Sequence, residues 1–376
     1  MTPHSGTFLG GEGEGMKIQA LNTWITKDKE ALIVAGPCGA ETREQVLETA
    51  KGLAAIPQVK LFRAGIWKPR TRPNSFEGVG EEGLKWLNEV QQQYKLKTTV
   101  EVANAQHVEL ALKYKVDVLW IGARTTVNPF SVQEIADAVK GVDIPVMIKN
   151  PIHADLHLWI GALERINNAG ITKLAAIHRG FHFAGKSKYR NKPMWEIAIE
   201  LKTLFPDLPI ICDPSHIGGK RDLIESIAQK ALNLGMNGLM IETHPHPDKA
   251  LSDAAQQITP TELSELLDRL IFPDTQSSNV EFSNKLKSLR SMIDEVDDEL
   301  INLLAKRLQI IEEIALYKKD QNITVFQLER WQEILRTRSQ WAEKLGVSRH
   351  HIEKICQILH EESIRVQNEA INKKTF

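Results

Sequence analysis

Three cations stand within five residues in the stretch Lys68-Pro69-Arg70-Thr71-Arg72-Pro73-Asn74-Ser75-Phe76. Pro69 and Pro73 exclude a helix and fix φ at two points, so these cations sit on a stiff loop. Cations, a hydroxyl and an amide held in fixed relative positions suit an anion whose shape is read as well as its charge. Further cations follow at Arg63, Arg124, Lys149 and Arg179. So many imply more than one anionic group: two phosphorylated substrates, or a phosphate and a carboxylate. A second set differs in chemistry. Cys38, His216 and Glu242, with Asp253 as a further carboxylate, offer a thiolate, an imidazole and oxygens. That mixture suits a borderline divalent ion such as Mn, Fe, Co or Zn over Mg, which prefers oxygen throughout. Together the sets point to a metal polarising a carbonyl while cations hold phosphates.

Residues so far apart must be gathered by the fold. Eight short apolar, β-rich runs recur: ALIVAGPC from Ala31, VKLFRAG from Val59, KTTVEVA from Lys97, VLWIGA from Val118, PVMIKN from Pro145, TKLAAIHR from Thr172, PIICDPSH from Pro209 and GLMIETH from Gly238. They read as buried parallel strands, and most gaps between them hold helical patterns. Eight β/α units over roughly 240 residues predict a (β/α)8 TIM barrel, an α/β fold. A doubly wound open sheet is the rival, but it normally carries a Gly-rich phosphate turn after the first strand, and Gly36-Pro37-Cys38-Gly39-Ala40-Glu41 matches that poorly. Barrel enzymes gather their chemistry at the C-terminal strand ends. Those ends carry Cys38, Arg63 and the stiff loop, Glu101, Arg124, Lys149, His178 with Arg179, Asp213 with His216, and Glu242 with His244.

The barrel is expected over residues 16–272, a linker over 273–281, and an all-α three-helix domain over 282–376. Leu286, Leu289, Ile293, Val296, Leu300, Leu303, Ile310 and Ile314 recur at helical spacing on one long helix. Two further helices are expected, about 327–345 and 349–372, with Ser348 as an N-cap. A first helix that long leaves apolar surface for a second copy, so an intertwined homodimer is predicted. Residues 1–15 are Gly-rich and patternless and read as a disordered leader or an expression remnant, with Met16 as the native start. Lys and Arg number 47 and Asp and Glu 48, so nothing global favours nucleic acid or an anionic membrane. Three scattered cysteines form no disulfide framework and fit a reducing, cytoplasmic setting. No apolar run reaches the roughly 18 residues of a membrane span.

The motifs AGPC, KPRT, IGAR, IKNP, IHRG, DPSH and IETHPHPDKALSD resemble 3-deoxy-D-arabino-heptulosonate 7-phosphate (DAHP) synthase, of the type related to 3-deoxy-D-manno-octulosonate 8-phosphate (KDO8P) synthase. The resemblance covers about residues 31–272. It implies a metal, manganese foremost, on Cys38, His216, Glu242 and Asp253. It implies phosphoenolpyruvate on Lys68, Arg124, Lys149 and Arg179, with Lys68 among the catalytic residues, and Arg63 counted with the substrate-binding cations. Arg70 and Thr71 take the aldose phosphate, so the prolines fix the placement of one substrate against the other. KPRT together with Cys38 favours erythrose 4-phosphate over arabinose 5-phosphate. Glu101 and His178 are candidates for proton transfer.

Residues 282–372 resemble the all-helical chorismate mutases, LRSMIDEVDDELINLLAKRLQIIEEIALYKKD being a close match. The resemblance implies a site of Arg290, Arg307, Lys318, Arg330, Ser363 and Gln367. Arg307 and Lys318, about three turns apart, share a helix face, whereas Arg290 lies about 25 Å away along the same helix. In the family that Arg comes from the partner subunit, which the uncovered apolar stripe also asks for. Arg290 and Arg307 each take a carboxylate, and Lys318 and Gln367 donate to the breaking ether oxygen. Gln327 and Trp331 stand where some members carry Asp and Glu. The expectation is a bifunctional enzyme of aromatic amino acid biosynthesis. Its tail would also mediate feedback by prephenate or chorismate. The alternative is a KDO8P synthase-like barrel with a non-catalytic dimerisation or sensor tail.

Overall fold

The computed structural model describes residues 15–68, 76–274 and 279–372, and the chain divides into two compact units, one before and one after residue 275. The first is a closed barrel of eight parallel strands in chain order: β1 (Leu32–Gly36), β2 (Val59–Arg63), β3 (Lys97–Val102), β4 (Val118–Ile121), β5 (Val146–Lys149), β6 (Leu174–His178), β7 (Ile210–Cys212) and β8 (Gly238–Glu242). β8 closes on β1, with Leu32 opposite Gly238 and Gly36 opposite Glu242. Around it run α1 (Arg43–Ala54), α2 (Glu81–Tyr94), α3 (Ala105–Lys113), α4 (Ala123–Thr126), α5 (Pro129–Val139), α6 (Leu156–Asn168), α7 (Trp195–Leu204), α8 (Pro214–Gly218), α9 (Ile224–Asn233) and α10 (Pro260–Arg269). All eight expected strands form, and no open sheet does.

The strands have two buried faces, which is why they read as apolar runs instead of alternating ones. Residues facing outward, such as Ile33, Phe62, Leu119, Ile148 and Leu239, pack under the helices. Residues facing inward fill the barrel: Leu32, Val34, Leu61, Val118, Trp120, Met147, Ile177, Ile211 and Met240. Leu21, with Trp24 and Ile25, packs beneath them and closes the N-terminal end. Local chemistry sets where helices begin. Thr42, Asn104, Asn128 and Asp155 each accept a backbone N–H from the first turn of the helix they precede. Thr259 and Glu262 form a reciprocal capping box at α10.

The second unit holds α11 (Val280–Asp320), α12 (Leu328–Lys344) and α13 (Arg349–Asn372), with α13 packed against both others. Ser348 caps α13, accepting from the His351 N–H at 3.2 Å, and Gly346 takes the left-handed conformation (φ 77°) that stops α12. Ile293, Val296, Leu300 and Leu303 on α11 stay 55 to 65% exposed, a stripe the single chain leaves uncovered. Among the described residues no helix is long and apolar enough to cross a membrane.

The capping box gives a local test of barrel stability. Thr259→Ala removes the bonds made by the Thr259 hydroxyl, leaving the backbone N–H of residue 259 on Glu262, and should cost about 1 kcal/mol. The barrel's melting midpoint should fall by about 2–4 °C, read by circular dichroism, with an unchanged signal for the second unit.

Candidate functional site

The pleat turns successive side chains to opposite faces. Two residues beyond each inward apolar residue therefore lies the next inward position, now at the mouth. Beyond Leu61 comes Arg63, beyond Trp120 Gly122, beyond Met147 Lys149, beyond Ile177 Arg179, beyond Ile211 Asp213 and beyond Met240 Glu242. The barrel core and the polar ring are one continuous inner face.

Cys38, Glu242 and Asp253 offer ligand atoms that all lie within 4.8 Å of one another. Cys38 Sγ is 3.4 Å from Asp253 Oδ2. His216 stands beside them, with Nε2 3.7 Å from Glu242 Oε1, and its Nδ1 is 2.8 Å from Asp213 Oδ2. Glu242 is fully buried, and its Oε1 accepts no hydrogen bond among the described residues although Arg63 Nη2 stands 3.2 Å away. A buried carboxylate oxygen with spare capacity, a thiol, a second carboxylate and an imidazole fit a borderline divalent ion. Burial, then the Glu242 charge, pushes the Cys38 thiol up to about 12. Burial opposes ionisation of Asp253, but the His216 and Arg190 charges outweigh it and hold its carboxyl well below the usual range.

The cations divide into two roles. Arg63, 2% exposed, is taken up within the site: it braces Glu242, donates to the Cys38 carbonyl at 3.4 Å and lies over the Trp120 ring. Lys149 pairs with Asp213 at 2.9 Å, also above Trp120. Lys68 Nζ stands 2.7 Å from Cys38 Sγ. Arg179 donates to Asn191 Oδ1 at 2.8 Å. Burial lowers the Arg179 guanidinium to about 10, with Asp213 opposing and the nearby charges of Arg190 and Arg124 adding to the fall. Cations crowded enough to disfavour one another favour an anion between them. Arg124 is exposed on α4. Arg70, Thr71, Arg72 and Asn74 lie outside the described residues.

The two proton-transfer candidates part company. Glu101 faces inward at the mouth, where Trp120 Nε1 donates to it at 3.2 Å. It needs Gly122, since a Cβ there would lie 2.0 Å from its Oε1. His178 is one step out of phase, facing the helices. It is buried against Trp159, Phe181 and Trp195, and burial lowers it to about 3, so it stays neutral and structural. Several residues at the site were not singled out from sequence. Gln256 Nε2 donates to Glu242 Oε2 at 2.7 Å, Gln257 Oε1 accepts from the Cys38 N–H at 2.9 Å, and Arg190 reaches Asp253 Oδ1 at 2.9 Å. Asn150 Oδ1 accepts from the Arg179 N–H at 2.7 Å. The paired glutamines so soon after Asp253, and the Asn of IKNP, were the available signals.

In the second unit a cavity of about 630 Å³ is lined by Arg307, Lys318, Gln327, Arg330, Trp331, Arg338, His360, Ser363 and Gln367 among others, with no carboxylate on its wall among the described residues. Arg307 donates to Ser363 Oγ at 2.8 Å, Lys318 to the Val325 carbonyl at 2.6 Å, and Gln367 to the Ser363 carbonyl at 3.2 Å. Trp331 stacks on His360 with ring centroids 4.2 Å apart. Arg290 is exposed and does not line this cavity.

The geometry has counterparts. A structure of a truncated 3-deoxy-D-arabino-heptulosonate 7-phosphate synthase from Thermotoga maritima matches with a TM-score of 0.56 and 30% identity, over 64% of this chain and 85% of that one. A Thermotoga maritima phospho-2-dehydro-3-deoxyheptonate aldolase is 34% identical over 226 residues, 60% of this chain and 64% of the relative's length. A 2-dehydro-3-deoxyphosphooctonate aldolase from Burkholderia multivorans is 29% identical over 276 residues, 92% of its length. Residues 289–368 match the chorismate mutase type II model. Residues 15–275 match the model of the DAHP synthetase I family, and the chain belongs to that family, its barrel joined to a helical unit of chorismate mutase type.

Proposed function

We propose that the barrel condenses phosphoenolpyruvate with erythrose 4-phosphate to give DAHP and phosphate, in the cytoplasm, and that the helical unit rearranges chorismate to prephenate. The observation that carries the barrel reading is the meeting of Cys38, Glu242 and Asp253 beside a ring of cations at one mouth. Cys38, His216, Glu242 and Asp253 would hold the metal, with manganese the ion of choice. When bound, that ion would polarise the aldehyde. Lys68, Arg124, Lys149 and Arg179 hold the phosphate and carboxylate of phosphoenolpyruvate, and Arg70 with Thr71 takes the aldose phosphate. C3 of phosphoenolpyruvate attacks the aldehyde carbon, water adds at C2, and phosphate leaves. Glu101, oriented by Trp120, is the candidate for moving a proton. Most of the barrier reduction asked of these residues is positioning.

In the helical unit the wall of cations without a carboxylate supports a dianionic substrate. Arg307 takes one carboxylate and Arg290 of the partner subunit the other, while Lys318 and Gln367 donate to the ether oxygen. The uncovered stripe on α11 supports the homodimer this requires. Binding of prephenate in the same cavity would feed back on the barrel, since two sites sharing a conformational equilibrium are coupled in both directions. A second reading, condensation with arabinose 5-phosphate, is favoured by the octonate relative, of which the match spans 92%.

Metal-stripped protein should consume phosphoenolpyruvate only after manganese is restored, and with erythrose 4-phosphate but not arabinose 5-phosphate. Use of the five-carbon sugar alone would move the barrel to the second reading. Cys38→Ala should abolish the condensation with mutase activity retained; loss of both would make Cys38 structural. Co-expressed Arg290→Ala and Arg307→Ala chains should recover about a quarter of wild-type mutase activity, because half of random dimers carry one intact site. No recovery would remove Arg290 from the partner's site. Prephenate titrated into the condensation assay should slow it, and an unchanged rate would rule out feedback.

A further inference from the structure

Glu242 and Asp253 divide their oxygens in the same way. Glu242 Oε2 is tied by the Gln256 amide at 2.7 Å, while Oε1 faces His216 Nε2. Asp253 Oδ1 is tied by Arg190 Nη1 at 2.9 Å, while Oδ2 faces Cys38 Sγ. In each carboxylate one oxygen is anchored and the other is aimed at the remaining ligand atoms. The two anchors are themselves joined, since Arg190 Nη1 also donates to Gln256 Oε1 at 2.6 Å. That bond decides the orientation of the amide: with its carbonyl on the guanidinium, Gln256 must present its NH2 to Glu242. Gln256 is 1% exposed, so water does not compete for it.

The clamp is built into the fold at both ends. The Arg190 and Asn191 N–H groups donate to the carbonyls of Gly218 and Ile217 on α8, the helix that carries His216. Gly219 leaves room for this, because a Cβ there would lie 2.5 Å from Arg190 Cβ. Asp253 itself is held in the left-handed conformation (φ 52°), which costs energy for any residue but glycine and sets the direction of its side chain.

We infer that Arg190 and Gln256 act as one positioning unit, setting the affinity of the barrel for a divalent cation by fixing the two ligating carboxylates. The inference rests on the metal reading above. It opposes a simple electrostatic expectation. A cation beside a metal site repels the metal, so removing Arg190 would tighten binding if charge alone mattered. If positioning governs, removing it weakens binding. Gln256 carries no charge and isolates the positioning effect.

The test is manganese affinity of the full chain, measured by competition with a chelator, with the melting midpoint of the metal-free protein read alongside. Arg190→Met and Gln256→Leu should each weaken binding by about 10–100-fold, the usual cost of losing a partner to a metal ligand. The double variant should lose little more than the worse single one, because the residues act through one chain of bonds. Arg190→Lys keeps the charge but not the fixed fork, and should bind more weakly than wild type and more tightly than Arg190→Met. It carries the test if Arg190→Met does not fold. Unchanged or tighter binding in folded Arg190 and Gln256 variants would overturn the clamp, as would losses that simply add. A wild-type chain that binds no manganese would overturn the metal reading and the clamp with it.

Discussion

The constraint on which the barrel mouth depends is the complete burial of the Glu242 carboxylate. An ionised group removed from water must be compensated nearby or give up its charge. Burial here resists ionisation, and the neighbouring His216 and Arg63 charges overcome it, keeping the carboxyl below its ordinary range. Asp213 repeats the pattern: burial opposes, and His216 and Lys149 outweigh it. The two acids share His216, so each charge at the mouth is part of the environment that permits the next. Such a network is rigid, because loss of one member strands another. Rigidity of this kind is what an arrangement of ligands and anion sites needs.

The helical unit solves a different problem. Its cavity wall bears Arg307, Lys318, Arg330 and Arg338 with no acid among the lining residues, although Arg330 pairs with Glu333 outside. Burial lowers the pKa of both Arg307 and Lys318. The barrel balances its charges internally, whereas this cavity leaves a positive excess facing its interior.

The eight strands were legible because two buried faces make a short apolar run, and the three helices of the tail because their apolar spacing is long and regular. The mouth was legible only in part. Cys38, Lys149, Arg179 and Glu242 stand at strand ends, where position alone marks them. His178 stands at such an end too, but the pleat turns it toward Trp159 and Trp195, and counting in twos from Ile177 to Arg179 separates it from its neighbour. Arg190, Gln256 and Gln257 were out of reach for another reason. They lie in irregular connections, where no periodicity predicts direction, and their partners are far away in the chain. Arg63 is recognisable as a cation from sequence, but not as one that serves Glu242 instead of standing free.

The packing of Leu21, Trp24 and Ile25 under the barrel makes its interior a shaft closed at the base and filled up to Trp120. Arg63 and Lys149 rest on that indole like groups on a floor. Among the described residues the interior below that indole is filled with side chains, so the charged ends of Arg63 and Lys149 share one support, and a change at Trp120 would be felt by both at once.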